Sequence, residues 1–300
     1  MTVEFDGSIR YNIKLEIHNM LDIGWFSSGR DQAAIGLLKV VSDAIKSGSI
    51  QGKISFVFVT REKGEKPESD RFIDYAEKLG LEVMALSHRN FEPQLRKAGL
   101  EESIRLGSDS PILENWRKQY DDVVMAKLSH YKPDMIVLAG YMLIVSAEMC
   151  RKYNMINLHP ALPGGPKGTW QEVIWQLMEQ KAKKTGVMMH LITPELDAGP
   201  AITYCEYDIY DDHIKPLWRQ WEIKSKALQE IQKNDGENEP LFNKIRRLGL
   251  KREFPLIVAT LKSASLGEFS ILNGEILSNG QKLVHGFDLT NEVERAISST

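Results

Sequence analysis

Apolar and polar positions along this chain switch repeatedly between two periods. The run "LDIGWF" at 21–26 is short and largely apolar, which predicts a buried strand. "SSGRD" interrupts it, and in "QAAIGLLKVVSDAIKS" the apolar residues return at helical spacing, with Asp31 a suitable N-cap. The same alternation repeats. "ISFVFVT" at 54–60 predicts a second buried strand, "SDRFIDYAEKLG" a helix closed by Gly80, and "LEVMAL" at 81–86 a third strand. Residues 87–110 are polar and contain Gly and Ser, and read as an inserted excursion with one short helix. A long helix over "ILENWRKQYDDVVMAKLSHY" follows, then Pro133 and "DMIVLAGY", a fourth strand running into a Gly turn. A short helix at 146–153 leads to "MINLH", the fifth strand. Strands alternating with helices predict an α/β fold, a Rossmann-like, mostly parallel sheet with helices on both faces. Right-handed crossovers bring the carboxyl ends of such strands to one edge, where ligands bind in open α/β sheets.

After residue 183 the pattern changes. "TGVMMHLITPELDAGPAITYCEYDI" predicts two strands joined by a polar turn, a late antiparallel hairpin. Two helical stretches, about 213–233 and 239–263, are separated by "KNDGENE", and the tail carries Asn-Gly twice among short extended pieces. The expected organisation is an N-terminal extension at 1–20, a domain at 21–210 that carries the chemistry, and C-terminal helices and short strands at 211–300 packed on it.

Composition narrows the function classes. The 300 residues are 42% hydrophobic and 26% charged, with a formal net charge of −3, so no nucleic-acid partner is expected. The basic runs Lys181-Ala182-Lys183-Lys184 and Lys244-Ile245-Arg246-Arg247 read as solvated helix edges. Cys150 and Cys205 lie far apart without a CxxC, so no disulfide framework is predicted. Charged residues are scattered through the first twenty positions, which fits neither a secretory signal nor a membrane anchor. A cytoplasmic setting is the expectation. No HExxH or Cys/His ligand spacing occurs, so no metal is expected.

Three stretches could carry chemistry. In "NLHPALPGGPKGTW", Asn157 and His159 stand two apart on a strand and project to one face. An amide can donate to a developing oxyanion and an imidazole can move a proton near neutral pH. In "TPELDAGP" at 193–200, Asp197 can bring a carboxylate to the sheet edge. In "SSGRDQ", the helix start after the first strand can hold an anion, with Gly29 for close approach and Arg30 for charge. Each has a plain structural reading by itself: a strand-end histidine, a turn aspartate, a capped helix. Trp170 and Trp175 read as packing residues, and His88, His130, His213 and His285 as structural or solvated.

Taken together, "PDMIVLAGYM", "INLHPALP", "TGVMMHLI" and "ELDAGPAI", with a weaker match in "FPLIVATL", "GEFSILNGEIL" and "GFDLT", resemble the folate-dependent formyltransferases. The resemblance implies a catalytic trio of Asn157, His159 and Asp197 and 10-formyltetrahydrofolate as co-substrate. It places the folate against Met142, Leu143, Ile144 and Val145 and against Thr193, Pro194, Glu195 and Leu196. The acceptor's phosphate falls at Ser28, Gly29, Arg30, Asp31 and Gln32. The favoured acceptor is the amine of glycinamide ribonucleotide, so the partners are small molecules, with no membrane and an oligomeric state that the sequence does not specify. Alternatives are another amine (an amino sugar nucleotide or an aminoacyl-tRNA), hydrolysis of the formyl-folate, or a non-catalytic ligand-binding α/β protein. The chain departs from the family's pattern in places. Gly29-Arg30-Asp31-Gln32-Ala33 replaces Gly-Asn-Gly-Ser-Asn, and Leu143 stands where Arg is usual. The loop after His159 is one residue shorter and richer in Gly. Glu253 lies closer to Pro255 than the late-helix Glu of the pattern.

Overall fold

A computed structural model describes residues 20–195, 198–224 and 228–299. The expected N-terminal extension at 1–20 lies outside the described residues except for Met20. Strand β1 (Leu21–Ser27) enters helix α1 (Gln32–Lys46) through Asp31, whose carboxylate accepts from the Ala34 amide at 3.1 Å. That is the predicted cap. Strand β2 (Gly52–Val59), helix α2 (Pro67–Lys78) and strand β3 (Val83–Ala85) follow. The 87–110 segment holds a longer helix than its polarity suggests, α3 (Pro93–Leu106). Its Gly99 is buried, and an added Cβ there would sit 2.7 Å from the Leu113 amide nitrogen. Close backbone approach, rather than an apolar stripe, seats α3 on the next helix, α4 (Pro111–Lys127).

Strand β4 (Met135–Leu138), helix α5 (Ala147–Lys152) and strand β5 (Met155–His159) complete the predicted alternation. Helix α6 (Trp170–Glu179) starts on a capping box between Thr169 and Glu172. The expected hairpin is β6 (Lys184–Leu191) and β7 (Ala201–Asp208), antiparallel to each other. An added Cβ on Gly199, in the connection between them, would collide with the Leu191 carbonyl oxygen, so only glycine fits there. The single helical stretch expected at 213–233 is two helices, α7 (Lys215–Glu222) and α8 (Leu228–Asn234). Helix α9 (Pro240–Ser265) packs against α1 and β6. The tail forms a small antiparallel sheet from β8 (Ser270–Leu272), β9 (Glu275–Ser278) and β10 (Gln281–Lys282). A further extended piece of the tail, β11 (Phe287–Asp288), pairs with β7, and helix α10 (Thr290–Ser298) is not visible in the sequence pattern.

The main sheet runs β11-β7-β6-β5-β4-β1-β2-β3, with β1 to β5 parallel. Alternate residues serve opposite faces. Val57 and Val59 enter one core with α1, α2, α6 and α9, while Phe56 and Phe58 enter the other with Trp116 and Tyr120 of α4. From β1 the chain moves outward to β2 and β3, then returns to the other flank as β4. The strand order therefore reverses between β1 and β4, the place where an open α/β sheet leaves a crevice at its carboxyl edge. No described helix is long and apolar enough to cross a membrane.

Candidate active site

The crevice between β1 and β4 opens into a cavity of about 360 Å³, inside the range of small-molecule sites. Its floor comes from three connections. Arg30 and Asp31 follow β1, Gly140 to Val145 follow β4, and Asn157 to Pro160 end β5. Gly168, Thr169 and Trp170 form one wall, so the Pro/Gly stretch after His159 does border the site. Ile192 and Thr193 border it from the end of β6, and Arg246 and Glu253 close it from α9.

Asn157 and His159 reach the cavity together because β5 is a strand and they are two apart. Antiparallel pairing sets His190 of β6 opposite Asn157, with Asn157 Nδ2 3.3 Å from His190 Nε2. The proton positions follow from the neighbours. His190 Nδ1 lies 3.2 Å from the Leu191 carbonyl, which can only accept, so in the neutral ring Nδ1 carries the proton. Nε2 is then an acceptor, and the Asn157 amide group donates to it. His159 Nε2 likewise donates to the Pro166 carbonyl at 2.9 Å. The two imidazoles stand 5.9 Å apart, with planes at 83°. His190 did not stand out in the sequence because it sits inside an apolar strand, and only the pairing register places it beside Asn157. Asp197 and Leu196, the other residues expected in this turn, lie outside the described residues.

The folate segment divides. Met142, Leu143, Ile144, Val145 and Thr193 line the cavity, whereas Pro194 and Glu195 are exposed and do not. The 140–145 loop is held at both ends. The Met142 amide donates to Ser28 Oγ at 3.1 Å, and the Ser146 amide donates to the buried Asp121 carboxylate at 2.6 Å. Burial pushes that carboxyl up to about 6, against the opposing hydrogen bonds from Ser146. The phosphate segment divides too. Arg30 and Asp31 border the cavity, Ser28 and Gly29 are buried beneath it, and Gln32 is exposed. Ser28 Oγ bridges the loops after β1, β2 and β4, receiving Thr60 Oγ1 at 3.1 Å as well as the Met142 amide. Gly29 adopts a left-handed φ of 55° and lies over Phe72, a conformation that favours glycine.

Two expectations are corrected by α9. The Lys244–Arg247 run is not a wholly solvated edge, because Arg246 turns inward, 2.6 Å from Glu253 and 4.4 Å from the Trp170 ring centre. Trp170 accordingly borders the cavity, while Trp175 packs on Phe242 in the core. Glu253 is 5% exposed, and burial pushes its carboxyl up while Arg246 opposes the shift. Residues seven apart on a helix share a face, a relation visible in the sequence, but not which face meets the crevice.

The fold and these side chains define an α/β protein whose candidate site places an amide, an imidazole and an ion pair on one cavity at the sheet edge. The formyl transferase family model matches residues 37–216, and the chain belongs to that family. Phosphoribosylglycinamide formyltransferase of Escherichia coli (strain K12) is 28% identical over 177 residues, spanning 58% of this chain and 68% of that protein. The Dictyostelium discoideum protein of the same name is 28% identical over 202 residues, 63% of this chain and 87% of that one. In architecture the chain is similar to the Coxiella burnetii phosphoribosylglycinamide formyltransferase, with a TM-score of 0.60 at 19% identity over 90% of this chain and 99% of that one.

Proposed function

We propose that this protein transfers the formyl group of 10-formyltetrahydrofolate to the amine of glycinamide ribonucleotide. The observation that carries the reading is the convergence of Asn157, held from behind by the buried His190, and His159 on a cavity bordered by both the 140–145 loop and the loop after β1. The names of the two curated relatives supply the acceptor. In the reaction the acceptor nitrogen attacks the formyl carbon, and the carbonyl electrons move onto oxygen. One Asn157 N–H faces His190, and the second is free to meet that oxyanion, where a positioned donor contributes about 100- to 1000-fold in rate. His159, whose Nε2–H is held by Pro166, accepts on Nδ1 the proton lost by the attacking amine and delivers it to the folate nitrogen, which leaves as the carbon–nitrogen bond breaks. Asp197 is assigned the role of orienting His159.

The folate lies along Met142 to Val145 and Thr193, and the acceptor's phosphate sits at the start of α1 near Arg30. The test is an assay with 10-formyltetrahydrofolate and a panel of amines, following release of tetrahydrofolate. Glycinamide ribonucleotide should be the best acceptor, and His159→Ala should lower turnover about 100-fold or more. Wild-type turnover in His159→Ala would sink the catalytic assignment. Tetrahydrofolate release without any amine would move the protein to hydrolysis.

A further inference from the structure

Each of the three neighbouring strands beside the acceptor end of the cavity delivers an arginine just past its carboxyl end: Arg30 after β1, Arg61 after β2 and Arg89 after β3. Backbone hydrogen bonds tie these connections together. The Thr60 amide donates to Ser27 O at 3.2 Å, and the His88 amide donates to Thr60 O at 3.1 Å. Arg61 Nη1 donates to Ser69 Oγ at 3.3 Å, and that hydroxyl donates to Ser28 O at 3.2 Å. The Arg61 guanidinium thus stands two hydrogen bonds from the loop assigned to the acceptor's phosphate. Its Nε is buried without a partner.

These charges are not neutralised within the fold. Three half-buried arginines elsewhere pair with a carboxylate: Arg117 with Asp109, Arg246 with Glu253 and Arg252 with Glu294. Among the described residues, Arg30, Arg61 and Arg89 have no carboxylate within ion-pair distance. The nearby acids have other partners. Asp31 caps α1, Glu65 accepts from the Glu62 amide, and Glu68 pairs with Arg71. Burial first, then the charges of Arg89 and Arg30, hold Arg61 below the usual guanidinium range, and Glu65 and Glu68 oppose this more weakly. Arg96, over the Trp116 ring, adds a fourth cation beside Arg89. A buried orphan donor among uncompensated cations is costly without an anion. One phosphate monoester brings roughly two negative charges, fewer than the three guanidinium groups present.

We propose that Arg61 and Arg89 form a second anion subsite next to the 28–32 loop, so that the protein accepts a ligand bearing two adjacent anionic groups, of pyrophosphate type, at the acceptor end. The inference rests on reading 28–32 as the acceptor's phosphate site. It extends the acceptor class beyond phosphate monoesters such as glycinamide ribonucleotide to amines carrying a diphosphate.

Calorimetric titration of the full chain with inorganic phosphate and with inorganic pyrophosphate, at fixed ionic strength, tests the subsite without any turnover. Pyrophosphate should bind roughly ten-fold more tightly than phosphate, the yield of one added charge-assisted contact. Arg89→Gln, at an exposed position, should remove most of that preference, and Arg61→Gln should do the same. Arg105→Gln, elsewhere on the surface of α3, should keep it. Equal affinity for the two anions in the wild type, or an unchanged ratio in Arg89→Gln, would overturn the subsite. In the transfer assay, pyrophosphate should raise the acceptor KM and leave kcat unchanged. Inhibition that acceptor does not relieve would detach the subsite from the acceptor and overturn the proposal. A protein that prefers pyrophosphate but transfers no formyl group would refute the function proposed above and leave the anion site standing.

Discussion

His190 defines what Asn157 can do. Its Nδ1–H is committed to the Leu191 carbonyl, so its Nε2 holds one amide hydrogen of Asn157 and fixes the amide's orientation. An asparagine alone at a strand end could rotate by half a turn, whereas one tied to an acceptor presents its other N–H in a defined direction. Arg246 and Glu253 act at the same scale on the opposite wall. Both are largely withdrawn from water, and breaking such a pair costs more than replacing it, because the remaining charge is stranded. Glu253→Gln should therefore lower unfolding stability by about 3–5 kcal/mol in urea titrations, and adding Arg246→Met should restore part of the loss. A Glu253→Gln protein as stable as wild type would show that the pair is solvated.

At the scale of elements, helix α4 controls the loop that borders the cavity. Asp121 on its inner face accepts the Ser146 amide, and Ser146 Oγ in turn caps α5 by accepting the Met149 amide. Folding raises the Asp121 carboxyl from the usual range to about 6, so the folded state holds a proton that the unfolded chain releases. Its contribution to stability is then greatest below the unfolded pKa and falls as pH rises from about 4 to about 6, by up to roughly 3 kcal/mol. Asp121→Asn should flatten that fall between pH 4.5 and 7.5 in denaturant midpoints. An identical pH dependence in the variant would contradict the assignment. The sequence made most elements legible, since β1, β2, β4 and β5 are short apolar runs and α1 and α2 carry clear helical stripes. It failed at α3, whose packing depends on the small size of Gly99, and at α10, and it did not say that the extended piece at Phe287–Asp288 pairs with β7, because two paired residues leave no periodicity to detect.

At the scale of the molecule, the tail completes the main sheet. β11 covers the open edge of β7, and Phe269, Ile276 and Val293 are nearly fully buried. Burying three such side chains is worth about 1.5–3 kcal/mol each, comparable in sum with the whole stability of many domains. Deleting residues 268–299 should therefore yield a protein largely unfolded or aggregated at 37 °C by far-UV circular dichroism. A cooperative transition at the full-length midpoint would show that the tail is dispensable. The sequence by itself determined the strand–helix alternation and the same-face placement of Asn157 and His159, because both follow from local periodicity. Only the tertiary structure decided that His190 faces Asn157, that Arg246 turns inward onto Glu253 and Trp170, and that Arg30, Arg61 and Arg89 gather at one edge. Those relations depend on strand register, strand order and helix packing: most join residues tens of positions apart, and the short Arg246–Glu253 spacing does not by itself say which face meets the crevice.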